Sequence, residues 1–200
     1  MRLLAIETAT SVCSVALIDD GVVVDHAHVA VGRGHAEALL PMIARLAGGG
    51  RADAICVDVG PGSFTGIRVG VAAARALGFG WRVPVTGFGS LALIAARDGT
   101  PDVCVAIEGG HGELFVARYA GPLSEEVEPP RSLPFDVAVG TLTAERVVGN
   151  AAARLVAARG WGSAAEVDPD ARGLALLDRR HRTLPPLPHY LRAADAKPMA

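Results

Sequence analysis

Gly60-Pro61-Gly62-Ser63-Phe64-Thr65-Gly66-Ile67-Arg68-Val69-Gly70 separates a short, apolar, β-branched run at 55–59 from a stretch that keeps helical spacing to about residue 77. A strand, a glycine turn and a helix in this order is a building unit of α/β folds, and so apolar a strand suits a parallel sheet covered on both faces. Gly60 and Gly62 permit a tight turn with outward-pointing N–H groups, and Ser63 or Thr65 is placed to cap the helix start. Such a turn can hold an anion at the positive end of a helix. No Gly-Lys-Ser or Gly-Lys-Thr follows, so it is not a P-loop, and phosphate contact and a purely structural turn both stay open. Within the helix, Gly66, Gly70, Ala74 and Gly78 recur every four residues and draw a stripe of small side chains. Each helical glycine costs about 0.5–1 kcal/mol relative to alanine. The stripe therefore implies close backbone packing, against the chain's own sheet or first helix, or against another subunit.

Upstream, 2–7, 12–18 and 22–30 read as strands, the last two joined at Asp19-Asp20-Gly21, where Asp-Gly suits a tight hairpin. After Gly32-Arg33-Gly34, Leu39, Leu40, Ile43 and Leu46 recur at helical spacing until Gly48-Gly49-Gly50 stops the helix. Downstream, 83–86 reads as a strand and 90–97 as a helix, which makes the order βββαβαβα to about residue 98. Asp98-Gly99-Thr100-Pro101 marks a lobe boundary, and strands at 103–107 and 114–119 begin a second meander. Helices are expected near 150–159 and 169–182, with weaker strand candidates at 137–140 and 147–148, a faint echo of the first half such as a duplication leaves. The division is a first lobe at 1–98, a smaller second lobe at 99–184 and a proline-rich tail at 185–200, extended and either docked or mobile, with Tyr190 and Leu191 as its candidate anchors.

A chain of 200 residues with 50% hydrophobic and 20% charged content can bury a full core and is not of disordered composition. Glu7 interrupts the opening apolar stretch, and no small-residue cleavage site precedes Asp19-Asp20-Gly21, so this is a core strand and not a secretion signal. Arg, Asp or Pro breaks the other long apolar runs, and no membrane span is expected. Cys13, Cys56 and Cys104 are odd in number, widely spaced and set in apolar surroundings, which points to a reducing cytoplasm. The 19 basic and 21 acidic residues give a formal charge of −2, and the arginines are dispersed apart from Arg179-Arg180-His181-Arg182. That distribution argues against nucleic-acid binding by this chain alone.

The segment at 60–70, the opening Leu4-Ala5-Ile6-Glu7-Thr8-Ala9-Thr10, the helix start His35-Ala36-Glu37-Ala38-Leu39-Leu40-Pro41 and the tail Tyr190-Leu191-Arg192-Ala193-Ala194-Asp195-Ala196 together resemble the TsaB family, also called YeaZ. The resemblance is dense to about residue 95 and thin between Gly109 and Pro188. It implies a reduced actin-like, sugar-kinase and Hsp70-like ATPase fold of two related lobes, in agreement with the βββαβαβα order. It further implies a non-catalytic subunit that binds the larger paralogue TsaD and, with the ATPase TsaE, serves threonylcarbamoyl transfer to N6 of adenosine 37 in tRNAs reading ANN codons. Transfer RNA would be met only through that complex, ATP or ADP and metal would sit on the partner subunits, and a homodimer is expected when the chain is alone.

The family's docking helices map to about 35–46 and 64–77. The expected interface residues are thus His35, Leu39, Met42, Ile43, Phe64, Gly66, Ile67, Arg68, Gly70, Val71, Ala74 and Arg75, with the glycine stripe exposed before assembly.

ATPases of this fold end the first strand on an acid that serves magnesium, followed by a Gly-Thr or Ser-Thr turn over the phosphates. Glu7-Thr8-Ala9-Thr10-Ser11 has the longer Glu and no glycine, which crowds that position. No independent turnover is expected, and Glu7, Thr8 and Ser63 stand as candidates for a nucleotide or subunit-junction contact. The paralogue's metal-binding histidines lie four apart on a helix, whereas here Leu39 follows His35, and no metal site is expected. His26 and His28 share a strand face with no third ligand and read as solvent-facing. Ser63 lacks a Gly-x-Ser-x-Gly elbow, and nothing locates a base for it. The family's Asp-Ala-Arg-like turn is replaced by Glu108-Gly109-Gly110-His111-Gly112-Glu113, without the arginine. The rival reading is a free-standing ATPase or phosphotransferase using Glu7; a serine or metal hydrolase is a third.

Overall fold

The computed structural model describes residues 1–121 and 125–191. Strands β1 (Arg2–Glu7), β2 (Val12–Asp19) and β3 (Val22–Ala30) form an antiparallel meander, and β4 (Ala54–Asp58) and β5 (Val85–Phe88) extend it in parallel to give the order β3-β2-β1-β4-β5. Helices α1 (His35–Arg45), α2 (Phe64–Trp81) and α3 (Ser90–Asp98) complete βββαβαβα as read. At the β2–β3 hairpin, Asp19 pairs with Val22, and Asp20 and Gly21 take φ of 46° and 85°. Two consecutive positive φ values are what a two-residue turn between right-twisted strands demands. β4 is covered on both faces, with Ile55, Cys56 and Val57 fully buried.

The second half repeats the plan. Its elements are β6 (Asp102–Gly110), β7 (Glu113–Ala120), β8 (Glu125–Pro134), α4 (Phe135–Thr141), β9 (Arg146–Val148), α5 (Ala152–Arg159) and β10 (Ser163–Ala165), with sheet order β10-β9-β6-β7-β8. Reversed, that order matches the first sheet strand for strand, and α4 and α5 stand in the chain where α1 and α2 stand. The expected echo is a full topological duplication.

Three local expectations need correction. Residues 137–140 lie in α4 and not in a strand, because fully buried Ala138 faces a core shared with β7 and α5, and packing overrides the β-branched Val137 and Val139. Residues 169–182 are not one helix but two 3-10 turns, Ala171–Ala175 and Arg179–Arg182. Each restarts on an aspartate whose carboxylate accepts the N–H two residues on, Asp170 from Arg172 and Asp178 from Arg180. Strand β8 carries Glu125, Glu126, Glu128, Pro129 and Pro130 and has no apolar alternation to announce it. It is an edge strand, and the prolines fall between the Arg118–Glu128 and Val116–Arg131 pairs, where the register shifts and a missing N–H costs little.

Helix α3 is sandwiched between the two sheets. Its fully buried Leu91, Leu93 and Ile94 join Ala5, Ile18 and Phe88 of the first lobe to Val103, Phe115 and Tyr119 of the second in one core. The chain turns between lobes at Gly99, whose φ is 71°. After β10 it returns to the first lobe: Leu184 bridges Gly87 in β5, and the His189 N–H donates to Val59 O at 2.7 Å. A division at 184/185 thus cuts through a segment already packed on the first lobe. Residues 192–200 of the tail, including Arg192 to Ala196 of the family motif, lie outside the described residues.

Candidate functional site

Parallel pairing of Ile6 with Val57 brings the ends of β1 and β4 side by side, and the next residues, Glu7 and Asp58, are both fully buried. Glu7 Oε1 accepts the Ala9 N–H at 2.6 Å, while Asp58 Oδ1 accepts the Gly60 N–H at 2.6 Å and the Ser90 hydroxyl at 2.7 Å. Burial, then the neighbouring Asp58 carboxyl, pushes Glu7 well above the usual carboxyl range; burial also raises Asp58. Asp58, which nothing in the motif reading singles out, is the partner that defines the Glu7 environment.

The glycine turn is pressed against the β1–β2 turn. The Ser63 N–H donates to Ala9 O at 2.6 Å, and Ser63 Oγ accepts the Gly66 N–H at 3.2 Å, so Ser63 is the helix cap. Thr8 Oγ1 donates to Gly66 O at 2.8 Å. A Cβ on Gly62 would lie 2.1 Å from Ala9 O, one on Gly66 2.0 Å from Thr8 O, one on Gly70 2.3 Å from Thr8 Oγ1 and one on Gly78 2.2 Å from Val85 Cγ2. The stripe therefore exists to seat α2 on its own sheet. It is not exposed, which corrects that part of the expected interface.

Other expected interface residues are also internal. His35 is buried with Nε2 3.1 Å from Val12 O, and Leu39, Met42, Ile43, Ile67, Val71 and Ala74 belong to the core beneath α1 and α2. Of the twelve, Phe64, Arg68 and Arg75 are exposed. The exposed side of the helix pair includes instead Ala36, Glu37, Leu40, Ala44 and Arg45 on α1, with Arg68, Ala72, Arg75, Ala76 and Phe79 on α2. Apolar periodicity picks out the buried face by construction. The available signal for the outer one was the second, out-of-phase set of apolar residues, of which Leu40 is 52% and Phe79 89% exposed. At the head of α2 the Arg68 guanidinium sits 3.5 Å above the Phe64 ring and its Nε donates to the Tyr190 hydroxyl at 2.8 Å, the two rings being 5.0 Å apart. Tyr190 thus anchors the tail as expected.

Between the lobes lies a cleft of about 730 Å³, with Thr10, Ser63, Phe64, Glu108, His111 and Tyr190 among its walls. Its two facing hairpin turns, after β1 and after β6, are equivalent under the duplication. Of the three nucleotide or junction candidates, Ser63 reaches this cleft; Glu7 and Thr8 are fully buried beneath it. Among the described residues no group of three His, Cys, Asp or Glu side chains is placed to hold a metal ion. His28 is not merely solvent-facing, since its Nδ1 lies 3.3 Å from the buried Asp170 carboxylate. The thiols of Cys13, Cys56 and Cys104 are free, and burial pushes them up to about 11, 11 and 12, away from nucleophilic chemistry.

A family model described as TsaD, tRNA N6-adenosine threonylcarbamoyltransferase, matches residues 24–126. The chain is 38% identical over 128 residues to the tRNA threonylcarbamoyladenosine biosynthesis protein TsaB of Escherichia coli, a match covering 60% of this chain and 55% of that protein. It is 34% identical over 218 aligned positions to an uncharacterized protein of Mycobacterium tuberculosis H37Rv, covering 98% and 94%. A solved Pseudomonas aeruginosa structure described as similar to peptidase YEAZ superposes with a TM-score of 0.79 at 28% identity over 96% of this chain and 99% of that one. The chain belongs to the TsaB (YeaZ) family. Its fold is the actin-like ATPase fold, and the ethanolamine utilization protein EutJ of Carboxydothermus hydrogenoformans shares the fold at a TM-score of 0.53 and 14% identity, over 89% of this chain and 90% of that one. Among the described residues no helix is long and apolar enough to cross a membrane.

Proposed function

We propose that this chain is a non-catalytic cytoplasmic subunit in tRNA threonylcarbamoyladenosine biosynthesis, docking on TsaD through the outward face of α1 and α2. The observation that carries the reading is the state of the first-strand acid. Glu7 is fully buried, bonded to Ala9 and set against Asp58. The turn that would cover phosphates spends its Ala9 carbonyl on the Ser63 N–H at the head of α2. Turnover by this chain would require the buried Glu7 carboxyl to leave its Ala9 contact and meet a metal or phosphate. Chemistry, nucleotide and metal are accordingly assigned to TsaD and to the ATPase TsaE, and tRNA is met through the complex.

The docking face has an apolar centre, Leu40, Ala72, Ala76 and Phe79, flanked by Arg68 and Arg75. Helix α2 contains no acidic residue to neutralise those arginines internally, which suits a partner with carboxylates at its rim. Small side chains at Ala36, Ala44, Ala72 and Ala76 let a partner helix approach closely. The same face pairs two copies of the chain when TsaD is absent.

The test is size-exclusion chromatography with light scattering on the chain alone and mixed with the TsaD of the same organism, followed by an ATP turnover assay on each fraction. A mixed complex with no turnover by the isolated chain supports the proposal. Turnover by the isolated chain, abolished in Glu7→Gln, would replace it with the free-standing ATPase reading.

A further inference from the structure

Glu7 and Asp58 together present four carboxyl oxygens in a place water does not reach. Two are satisfied, Glu7 Oε1 by the Ala9 N–H and Asp58 Oδ1 by the Gly60 N–H and the Ser90 hydroxyl. The other two, Glu7 Oε2 and Asp58 Oδ2, receive no donor from any described residue, and the two buried carboxyls stand at the adjoining ends of β1 and β4, close enough to act on each other electrostatically. Two ionised carboxylates offer acceptors only, so these orphan oxygens can be satisfied within the pair only if one carboxyl carries a proton. The surroundings offer no substitute. Cys13 of β2 acts on Glu7 and Cys56 of β4 lies beside Asp58, both neutral thiols; Ser90 of α3 is neutral; among the described residues no cation forms a hydrogen bond with either carboxyl.

Each carboxyl also holds a turn. Through the Ala9 N–H, Glu7 fixes the β1–β2 turn, whose Ala9 carbonyl accepts the Ser63 N–H. Through the Gly60 N–H, Asp58 fixes the β4–α2 turn, whose Gly60 carbonyl accepts the Ser90 N–H at 3.2 Å. Ala9, Thr10, Pro61 and Ser63 of these two turns form one wall of the interlobe cleft. We infer that Glu7 and Asp58 share a single proton, and that this proton latches the β1–β2 and β4–α2 turns together, so that its loss loosens one wall of the cleft.

Deprotonation releases one proton to solvent and takes the pair from a net charge of −1 to −2. Two neighbouring carboxylates in an apolar interior repel each other strongly. Burial and the Asp58 charge both favour the protonated form of Glu7, whose midpoint therefore lies well above the usual 4.5. A raised folded-state value means that the stability from this proton is complete below 4.5 and is lost as pH rises through the folded midpoint.

The experiment is an NMR titration of the full chain that follows the side-chain carboxyl carbons of Glu7 and Asp58 and the amides of Ala9, Gly60 and Ser63, in the wild type, Glu7→Gln and Asp58→Asn. The expected result is one proton leaving the pair above the ordinary carboxyl range, with the three amide shifts moving at the same midpoint. In Glu7→Gln the side-chain N–H donates to Asp58 in place of the proton, and that transition is lost from all three amides. If the wild type unfolds on deprotonation, circular dichroism should place its alkaline unfolding at lower pH than that of Glu7→Gln. The inference is overturned if both carboxyls titrate below about pH 5, if the amides do not move when the pair ionises, or if the two proteins unfold at the same alkaline pH. The wild-type titration decides the question even if neither variant folds.

Discussion

One helix offers an internal control on how the glycine stripe works. Gly70 and Gly80 both lie in α2, but a Cβ on Gly70 would sit 2.3 Å from Thr8 Oγ1 and 3.4 Å from Val57 Cγ2, whereas one on Gly80 would meet nothing within 4 Å. Replacing either with alanine gains about 0.5–1 kcal/mol in helix propensity. For Gly80→Ala that gain stands alone, and stability should rise by this amount. For Gly70→Ala the threonine must rotate away and give up its hydrogen bond to Gly66 O, a loss of about 1 kcal/mol, and crowding adds about 1–3 kcal/mol. The net is a loss of about 1–3 kcal/mol. Gly66→Ala should be worse again, beyond about 3 kcal/mol, because its obstacle is the Thr8 backbone carbonyl at 2.0 Å, which has no rotamer to change. Urea unfolding followed by circular dichroism measures all three, with the slope unchanged so that the midpoint reports stability. A Gly70→Ala or Gly66→Ala protein as stable as the wild type would refute the claim that the stripe seats α2 on β1. Equal losses at Gly80 and Gly70 would show that helix context, and not the neighbouring Thr8, sets the cost.

Other measurements probe separate parts of the chain. Asp170 is buried, which on its own would raise its carboxyl, but hydrogen bonds from the Arg172 side chain and N–H and the charges of Arg172 and Arg97 hold it at about 2 against a usual 3.8. Its stabilising contribution, on the order of 2 kcal/mol, is present above 3.8 and lost as pH falls towards 2, so Asp170→Asn should lower neutral stability by roughly that amount and flatten the acid limb of a stability–pH curve. Leu40→Asp with Ala76→Glu should leave the monomer's circular dichroism unchanged and weaken TsaD binding at least tenfold by titration calorimetry, since both side chains lie on the outer face; undiminished binding would move the interface elsewhere. Tyr190→Phe removes the acceptor of the Arg68 hydrogen bond but keeps the ring stack, and should cost about 0.5–1.5 kcal/mol, well below Tyr190→Ala, in the same unfolding assay.

The first lobe was legible because its signals are local and mutually consistent. Asp-Gly at residues 20 and 21, three glycines after α1 and the Gly-Pro-Gly-Ser start of α2 each specify backbone geometry without reference to anything distant. What sequence misread has its cause elsewhere in the chain. Ala138 becomes helical because of the core it enters, β8 is a strand because β7 offers it an edge, and 171–182 breaks into two turns because Asp170 is held by Ser14, Arg97 and His28 from other elements. The candidate site divides in the same way. Glu7 and Ser63 carry motif signals, but Asp58 gains its meaning from strand pairing, 51 positions along the chain. Nine of the twelve expected interface residues are internal for a related reason: periodicity reports which side of a helix is apolar, and on α1 and α2 the main apolar side is the one the chain keeps for itself.

The duplication sharpens the case for docking through the first lobe. At 1.5 Å of rise per residue, α2 with its 18 residues spans about 27 Å, whereas its counterpart α5, with 8, spans about 12 Å. Likewise α1 has 11 residues and α4 has 7. Two turns of helix cannot present a continuous face to a partner bundle, and Arg154 on α5 is already spent on Glu108 at 3.4 Å and on the Phe135 ring at 4.1 Å. The arginines at the head and middle of α2 are differently placed: Arg68 stacks on Phe64 and Tyr190, and neither it nor Arg75 has a carboxylate partner among the described residues. The two halves of one topology thus differ, the second having short helices that close around its own core, the first having long helices with a second apolar surface that its own core does not use. A face of that length, small-residue composition and uncompensated charge fits the proposed docking on TsaD, and it is on this face that the double substitution Leu40→Asp with Ala76→Glu should act.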